Sequence, residues 1–397
     1  MPSHRHRHDV VVVGARAAGA ATALLLGRLG YDVALVDRAD FPSDTLSTHQ
    51  LARTGVVQLH RWGLLTAVLD SGAPAIRQVS FSAEGDTVTR AVKDKAGVDL
   101  LVAPRRYLLD PIVAGAATAA GVHTRLGTTV HGVHIDDTGR ATGVYGADRA
   151  GRPFDIDARF VVGADGLRSK VARAVGAAIL EHRGDHGAVE YAYYTGIAWP
   201  GIEMFLADGA LAGVFPTHHE QACIWLCTPS TTARAARRNA TSRLDAFTTE
   251  LGRAAPQLAE RLRPAQRTSD VAGMLRTPNF RRQAHGPGWA LVGDAGYHRD
   301  AITGHGLSDA YRDAELLAEA LHQILSGDRD EASALAGYQA SRDEALREIF
   351  DLTCALAGYP PVREFVRLQK ELSRAIDVEA AALAARPVPG APAPVPA

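Results

Sequence analysis

Runs of consecutive apolar residues mark the first organised part of the chain. Residues 10–13 are all valine, residues 14–19 begin and end with glycine, and a stretch with helical periodicity extends to Leu29. A second strand-like run covers residues 32–37, with an apolar centre at residues 33–36. Continuous β-branched runs are typical of strands buried on both faces. The pattern therefore predicts a βαβ unit of about 30 residues with an acidic residue, Asp37, at the end of its second strand.

The rest of the chain alternates between strand-like and helical patterns. Alternating apolar and polar residues around the turn Glu84-Gly85-Asp86 predict a hairpin over residues 76–92. Strand-like runs recur between residues 189 and 228, and helical periodicity dominates residues 231–262 and 330–385. The other predicted elements are helices over 107–120 and 306–325 and buried strands over 160–165 and 289–294.

Composition and charge place the chain among ordinary globular proteins. Its 397 residues are enough for two or three domains, 46% of them are hydrophobic, and 43 basic residues nearly balance 44 acidic ones. No positive excess favours nucleic acid, and no apolar run reaches the roughly 20 residues that span a bilayer. The three cysteines form no CxxC motif, and there is no signal-peptide pattern, so we expect a cytoplasmic protein.

Both ends of the sequence are expected to lie outside the folded core. The histidine-rich residues 4–8 are either a metal-binding tract or a frayed, solvated terminus, and we expect the second. The proline-rich residues 386–397 are expected to form a loose, extended tail. We expect no metal site, because no carboxylate recurs at ligand spacing near the other candidates, which are His182, His186, His218 and His219.

The segment between the first strand and the first helix has the spacing of a dinucleotide-binding loop. Its first glycine permits a tight turn, its last lets the helix approach the strand, and the helix N-terminus offers N–H groups to a pyrophosphate. The middle glycine of GxGxxG is replaced by Arg16, which either obstructs the phosphates or contacts them; we expect contact. The candidate cofactor contacts here are Gly14, Ala15, Arg16, Ala18, Gly19, Asp37 and Arg38.

Two later segments carry a family resemblance. Residues 162–169, VGADGLRS, resemble the GADGxxS strand-turn of FAD-dependent aromatic hydroxylases, and residues 291–296, LVGDAG, resemble their second FAD signature, GDA. The resemblance implies that Asp294, next to Gly293, holds the ribityl chain and pyrophosphate of FAD. It also implies that Asp165 lies where the flavin and reduced nicotinamide are accommodated. The resemblance covers nearly the whole chain.

The loop after the GDA signature is similar to two groups of flavoproteins. Residues 301–307, AITGHGL, resemble the P-x-T-G-E-G-I loop of geranylgeranyl-reductase-like proteins as much as the P-x-G-x-G-x-N loop of hydroxylases. In both groups this loop holds the isoalloxazine edge, which makes Gly304, Gly306 and Leu307 candidate contacts. Three positions depart from the usual proline, asparagine and histidine of these patterns, namely Ala301, Ser308 and Tyr297.

The same resemblance points to further residues around the flavin. Residues 105–110 resemble the R-x-x-L-D stretch whose arginine contacts the ribityl-phosphate part of FAD, and the matching residue is Arg106. Residues 44–53 occupy the loop that approaches the flavin from the other side. No catalytic acid or base is identified, and the candidate pocket residues are Ser47, Thr48, His49, Thr303 and His305.

These features together predict the fold class and its division into domains. The resemblance implies an α/β protein in which a Rossmann-type FAD-binding domain carries an inserted, mostly β substrate domain and a helical C-terminus. The expected bounds are 9–75, 99–179 and 276–325 for the FAD-binding domain, 76–98 and 180–275 for the substrate domain, 326–385 for the C-terminal helices and 386–397 for the tail.

The function implied is that of an FAD-dependent monooxygenase. Such an enzyme inserts one oxygen atom into a small aromatic or polyketide-like substrate through a flavin C4a-hydroperoxide. We expect non-covalent FAD, with NAD(P)H as a transient electron donor or a flavin reductase as partner, because no second GxGxxG is present. A flavin-dependent reductase of isoprenoid-type double bonds and a non-redox FAD-binding accessory protein stay open. The halogenase signature WxWxIP is absent, and we expect a monomer or homodimer.

Overall fold

The computed structural model describes residues 7–47 and 49–390. The strands in this part of the chain are β1 (Arg7–Val13), β2 (Val33–Val36), β3 (Gln78–Ala83), β4 (Asp86–Ala91), β5 (His123–Arg125), β6 (Thr128–Ile135), β7 (Ala141–Asp148), β8 (Pro153–Gly163), β9 (Ile179–His182), β10 (Gly187–Thr195), β11 (Ile202–Ala207), β12 (Ala210–Pro216), β13 (Ala222–Pro229), β14 (Gln266–Arg267), β15 (Ala272–Thr277), β16 (Phe280–Arg282), β17 (His285–Gly286), β18 (Trp289–Leu291) and β19 (Tyr297–His298).

The helices of the same residues include most of those that the sequence predicts. They are α1 (Ala17–Arg28), α2 (Arg53–Arg61), α3 (Leu65–Asp70), α4 (Arg106–Ala119), α5 (Lys170–Ala174), α6 (Ser230–Asn239), α7 (Arg243–Ala254), α8 (Pro256–Arg261), α9 (Gly306–Leu325), α10 (Glu331–Ala357) and α11 (Val362–Ala384). Short 3-10 turns cover Gly293–Ala295 and Ala301–Thr303. Among the described residues, no helix is both long and apolar enough to cross a membrane.

The first large sheet confirms the predicted βαβ unit and the α/β class. Its centre is parallel, in the order β18-β8-β1-β2-β5, and Val10 lies between Val33 and Phe160 in the register. Helices α1, α4 and α9 cover one face, where the buried residues include Leu25, Leu109 and Tyr311. The valines of β1 are fully or almost fully buried, because both faces of the parallel centre are covered.

The second large sheet has the order β14-β10-β13-β12-β11-β3-β4, with β15 beside β10. The predicted hairpin is present as β3 and β4 and joins this sheet through parallel pairing of β3 with β11. One face packs against α10, α11 and the 3-10 turn that contains Ile302, and the other packs against α7 and α8. The strands of the two large sheets come from different parts of the chain, while the domain bounds themselves stay a prediction.

Two predicted helical regions are divided where the sequence supplies a stop. Residues 231–262 form parts of three helices, because the Ser242 side chain accepts from the Asp245 N–H to begin α7 and Pro256 begins α8. Residues 330–385 form α10 and α11, which are separated at Pro360-Pro361. Proline cannot donate the N–H that a continuous helix needs.

Both termini are more ordered than predicted, as far as the structure describes them. Arg7 and His8 belong to β1, opposite Asp157 and Ala158, so the expectation of a frayed terminus is wrong for these two residues. At the other end, the carbonyl of Arg386 accepts a hydrogen bond from the Arg61 side chain, and Val388 packs against the core of the first sheet. The loose-tail prediction therefore fails for residues 386–390, and residues 1–6 and 391–397 lie outside the described part.

Candidate cofactor and active site

The loop after β1 leaves no room for side chains at its two glycines. Gly14 has φ +106°, and a Cβ there would lie 2.4 Å from the carbonyl oxygen of Ala164. A Cβ at Gly19 would lie 1.8 Å from the carbonyl oxygen of Gly14. Both glycines are therefore required by the turn and by the close approach of helix to strand, as the sequence predicts. The N-terminus of α1 faces this turn and is a ready site for an anion.

Asp37 and Arg38 lie at the end of β2 beside this loop. The Asp37 carboxylate accepts hydrogen bonds from the N–H of Ala15 at 2.7 Å and from the N–H of Ala39 at 2.8 Å. It thus fixes the glycine loop, and each oxygen keeps a lone pair for a further donor. Arg38 is exposed. Contact of these residues with the ribose of a nucleotide stays a prediction.

Arg16, which breaks the glycine pattern, binds a buried carboxylate. Its guanidinium donates to Asp110 Oδ2 at 2.7 Å, to the Ser43 hydroxyl at 3.1 Å and to the carbonyl of Asp44 at 3.3 Å. Arg106 donates from Nε to the other oxygen of Asp110 at 2.8 Å. Sequence reasoning gave no role to Asp110, although it closes the R-x-x-L-D stretch. It is fully buried, and it positions both arginines.

Asp294 is the exposed member of an otherwise buried turn. Gly293 and Ala295 are buried, and a Cβ at Gly293 would lie 2.8 Å from the Cβ of Ala18, so this turn touches α1. The Asp294 carboxylate makes no hydrogen bond to the described residues. An exposed carboxylate without a hydrogen-bond partner among the described residues suits the hydroxyl groups of a ribityl chain.

The N-terminus of α9 offers a second set of unpaired polar groups. Gly304 has φ +65°, which turns the chain into the helix, and Gly306 begins the helix with open space around it. The N–H groups of Gly306, Leu307 and Ser308 find no acceptor within the described residues. The N-terminus of this 20-residue helix carries partial positive charge, so it would stabilise a negatively charged group bound in front of it.

Thr303 and His305, two candidate pocket residues, are buried behind this helix start. The His305 Nδ1–H donates to the carbonyl of Thr303, which leaves Nε2 as a buried nitrogen without a hydrogen-bond partner. Burial and the charge of Arg299 lower the pKa of His305 to about 4. His305 is therefore neutral at pH 7.

The departures from the hydroxylase pattern have structural explanations at two positions. Ser308 accepts a hydrogen bond from the Gly55 N–H at 3.2 Å, and a Cβ at Gly55 would lie 2.8 Å from the same hydroxyl. The small side chain thus allows α2 to approach α9. Tyr297 is buried against Phe350, with ring centroids 5.7 Å apart. Nothing in the structure explains Ala301.

The loop of residues 43–49 joins the first sheet to tyrosines of the second. The Ser47 N–H donates to the Tyr191 hydroxyl at 3.1 Å, and Nε2 of His49 is hydrogen-bonded to the Tyr193 hydroxyl. Burial and the charge of Arg105 hold the pKa of His49 well below its ordinary value. Thr48 lies outside the described residues. The structure thus brings Ser47 and His49, two of the candidate pocket residues, to the interface between the two sheets.

Arg105 is a residue that sequence reasoning missed. Its guanidinium lies 3.6 Å from the centre of the Tyr193 ring and donates to Asp44 at 2.7 Å and to Gln221 at 3.0 Å. Its backbone N–H donates to Nδ1 of His218, and Nε2 of that histidine is hydrogen-bonded to the Ser71 hydroxyl, so both ring nitrogens already have protein partners. The only sequence signal was its position next to Arg106.

Asp165 has a structural role that the sequence analysis did not anticipate. Its carboxylate accepts from the Ser169 hydroxyl at 2.5 Å and from the N–H groups of Lys170 at 2.6 Å and Val171 at 3.2 Å. It therefore caps α5. The expected contact of Asp165 with a cofactor stays a prediction.

The donor set fits FAD. A glycine turn and a helix N-terminus suit the pyrophosphate, the unpartnered carboxylate of Asp294 suits ribityl hydroxyls, and the open N-terminus of α9 suits the negative charge of a reduced isoalloxazine. Arg16 and Arg106, which both donate to Asp110, add positive charge to this site. Each of these groups was proposed from the sequence, and the structure brings them to the carboxyl ends of the parallel strands, where such ligands bind.

Comparisons with known proteins agree with this fit. Residues 7–353 match the family model described as FAD binding domain. A kynurenine 3-monooxygenase of Salinispora arenicola is 25% identical over 407 residues, covering 94% of this chain and 84% of that protein. A digeranylgeranylglycerophospholipid reductase of Methanocella arvoryzae is 25% identical over 354 residues, covering 87% and 86%. The structure of the flavin-dependent brominase Bmp2 is similar in fold, with a TM-score of 0.81 at 20% identity over 94% of each chain.

Proposed function

Because the chain belongs to the FAD binding domain family and is an FAD-dependent oxidoreductase, we propose that it is a monooxygenase of small aromatic or polyketide-like substrates. Bound FAD, held by the glycine loop at Gly14 and by Asp294, would supply the redox chemistry, with NAD(P)H as the electron donor and O₂ as the electron acceptor. The substrate, O₂, NAD(P)H and a proton give a hydroxylated product, water and NAD(P)⁺. We propose that the FAD is bound non-covalently, since no cysteine or histidine lies at an obvious attachment position.

The observation that carries this proposal is an aromatic face of the second sheet. Tyr191, Tyr193, Phe215 and Trp225 belong to one buried cluster that also contains Ile302 of the loop before α9. The rings of Phe215 and Trp225 lie 5.1 Å apart and nearly parallel. A wall of aromatic rings with few polar groups is the lining that suits a flat, apolar ligand.

The polar groups of this wall come from His49 and Arg105. Burial raises the pKa of Tyr193, so its hydroxyl stays protonated, and we propose that it donates to Nε2 of His49. In neutral His49 the proton is then on Nδ1, which is buried and has no hydrogen-bond partner among the described residues. We propose that this N–H orients an oxygen atom of the substrate, while the packed rings exclude water.

A second candidate function is reduction of isoprenoid-type double bonds. The sequence Thr303-Gly304-His305-Gly306 favours it, as does the digeranylgeranylglycerophospholipid reductase among the relatives. A halogenase is not proposed, because the similarity to the brominase is one of fold and the sequence has no WxWxIP.

Oxidation of NAD(P)H with and without O₂ separates these functions. We expect the purified protein, screened with aromatic substrates, to oxidise NAD(P)H in step with O₂ consumption and to place one labelled oxygen atom in the product. A parallel reaction with an added flavin reductase tests whether a partner protein supplies reduced flavin. Oxygen-independent saturation of an isoprenoid alkene would replace the proposal with the reductase function. Absence of turnover in every arm would indicate a non-redox role.

A matched pair of tyrosine variants tests the aromatic wall. Tyr193 and Tyr194 are neighbours on β10, but they belong to the buried clusters on opposite faces of the sheet. We expect Tyr193→Phe to lower product formed per NAD(P)H oxidised, because His49 loses its orienting hydroxyl. Tyr194→Phe should leave this ratio unchanged, and both variants should keep FAD.

A further inference from the structure

Three side chains that can bind a metal ion lie together at the amino ends of parallel strands in the first sheet. The glycine loop lies at the opposite ends of these strands. His8 is in β1, Asp32 directly precedes β2, and His123 begins β5. These strands are parallel neighbours, with Val10 opposite Val33 and Ala34 opposite His123. Parallel pairing brings the amino ends of all three strands to one edge, so residues that are far apart in sequence become adjacent.

Their geometry is close to that of a metal site. Nδ1 of His8 lies 2.7 Å from Oδ1 of Asp32, Nε2 of His123 lies 3.5 Å from the same oxygen, and the three ligand atoms lie within 4.8 Å of one another. Zinc–ligand bonds of about 2.0–2.2 Å in a tetrahedral site separate ligand atoms by roughly 3.3–3.6 Å. Small movements of the partly buried Asp32 and the exposed His123 side chains towards the buried His8 are therefore enough to admit an ion.

We propose that His8, Asp32 and His123 bind a divalent transition-metal ion of the Zn²⁺ class. Two imidazoles and a carboxylate are the donor set that such ions prefer over Mg²⁺. The ion takes the place of the proton between His8 and Asp32, and that proton goes to solvent. The His123 side chain is 63% exposed, so a water molecule can complete the coordination.

The site is separate from the proposed flavin chemistry. His8 lies six positions before Gly14 along an extended strand, a separation of roughly 20 Å at about 3.3 Å per residue. The ion would hold the first strand to its two neighbours and so would act on stability. The expectation of no metal site rests on a frayed N-terminus over residues 4–8 and on the absence of a carboxylate near the other candidate histidines. The fold instead orders His8 in β1 and brings Asp32 and His123 beside it.

Calorimetric titration of the full-length chain with Zn²⁺ tests the proposal. We expect one ion per chain and a rise in melting temperature, with a similar result for Ni²⁺ and none for Mg²⁺. His123→Ala and Asp32→Asn should each weaken Zn²⁺ binding at least about tenfold, the effect of losing one ligand worth about 1.4 kcal/mol or more. FAD content should stay the same in every variant, which also shows that each one folds.

Two control variants make the test specific. His134 pairs with a single carboxylate, that of Asp155, at 2.7 Å, and it is in no three-ligand cluster of the described residues. His134→Ala should keep wild-type Zn²⁺ affinity. A chain with alanine at both His4 and His6 should also keep it. Wild-type affinity in both Asp32→Asn and His123→Ala, or loss of binding in the His4/His6 variant, would overturn the proposal.

Discussion

The guanidinium of Arg16 lies 2.7 Å from the carboxylate of Asp110, a residue 94 positions further along the chain. Asp110 is fully buried and also accepts from Arg106. These three groups together carry one positive charge and lie near the N-terminus of α1. The side chain that breaks the glycine pattern is thus held beside the pyrophosphate-binding loop by a partner that the fold provides, which favours contact over obstruction.

Replacing Arg16 should weaken FAD binding. We expect Arg16→Gly to lower FAD affinity at least several-fold, because a charge-assisted hydrogen bond to phosphate contributes about 1.5–3 kcal/mol. The loss should shrink as salt is raised, since screening weakens the same interaction in the wild type. Titration of the apoprotein with FAD at low and high salt measures both effects, and tighter binding by the variant would show that Arg16 obstructs the site.

The role of Arg16 in stability can be separated from its role in binding. Arg16→Gly removes one of the two partners of buried Asp110, so the apoprotein should lose about 1–3 kcal/mol of unfolding free energy. Adding Asp110→Asn leaves the buried Arg106 guanidinium without its carboxylate, so the double variant should lose further stability and should not recover FAD affinity. Urea unfolding of the wild type, the two single variants and the double variant gives the coupling free energy between Arg16 and Asp110. Full recovery of FAD affinity in the double variant would contradict a phosphate contact.

Asp294 should be the carboxylate whose loss most directly affects FAD. We expect Asp294→Ala to weaken FAD binding by about 5–150-fold, since leaving buried hydroxyl donors unpaired costs about 1–3 kcal/mol. Its stability without FAD should change little, because the carboxylate has no hydrogen-bond partner among the described residues. Asp137→Ala, at an exposed turn, is the control. Wild-type FAD affinity in Asp294→Ala would disprove the role assigned to the GDA turn.

Local patterns were enough to predict much of the fold. Helix α9 has the predicted bounds, Gly306–Leu325, and α4 differs from its prediction by one residue at each end. Helical periodicity and glycine stops are properties of neighbouring residues, so one sequence reveals them. The two sheets were harder to predict, because a strand such as β3 pairs in parallel with β11, more than a hundred residues away. Sequence alone contains no such register.

The candidate site was predictable only where its residues fall in motifs. Gly14, Gly19 and Asp294 follow from short patterns. The structure shows the tight packing expected at the two glycines, while contact of Asp294 with FAD stays a prediction. The contact between His49 and Tyr193 spans 144 positions, and no local signal connects these two residues. Asp165 illustrates the opposite case, because a cap to Ser169 and Lys170 is local and was hidden by the resemblance.

Two glycines of the loop before α9 should respond differently to alanine. Gly304 has φ +65°, and its added Cβ would lie 2.5 Å from Oε1 of Gln50, so Gly304→Ala should destabilise the protein by about 1–2 kcal/mol. The Cβ of Gly306→Ala meets no atom within 4 Å, so its unfolding free energy should not fall. Thermal or urea unfolding of the apoproteins compares the two variants. Equal destabilisation would contradict the left-handed turn at Gly304.

Stability should fall in mild acid because buried histidines are kept neutral. Burial and the charge of Arg299 lower the pKa of His305 to about 4, while the unfolded chain titrates near 6.5. As the pH falls from about 6.5 to about 4, the unfolded chain therefore binds a proton that the folded protein does not. The free energy of unfolding falls throughout this range. A shift of this size corresponds to about 3 kcal/mol for His305. Urea unfolding at several pH values should show a smaller decline for His305→Gln than for the wild type, whereas His134→Gln, at a partly exposed site, should retain the wild-type decline. An unchanged decline in His305→Gln would mean that this histidine is protonated in the folded protein. The assignment of a neutral imidazole to His305 would then be wrong.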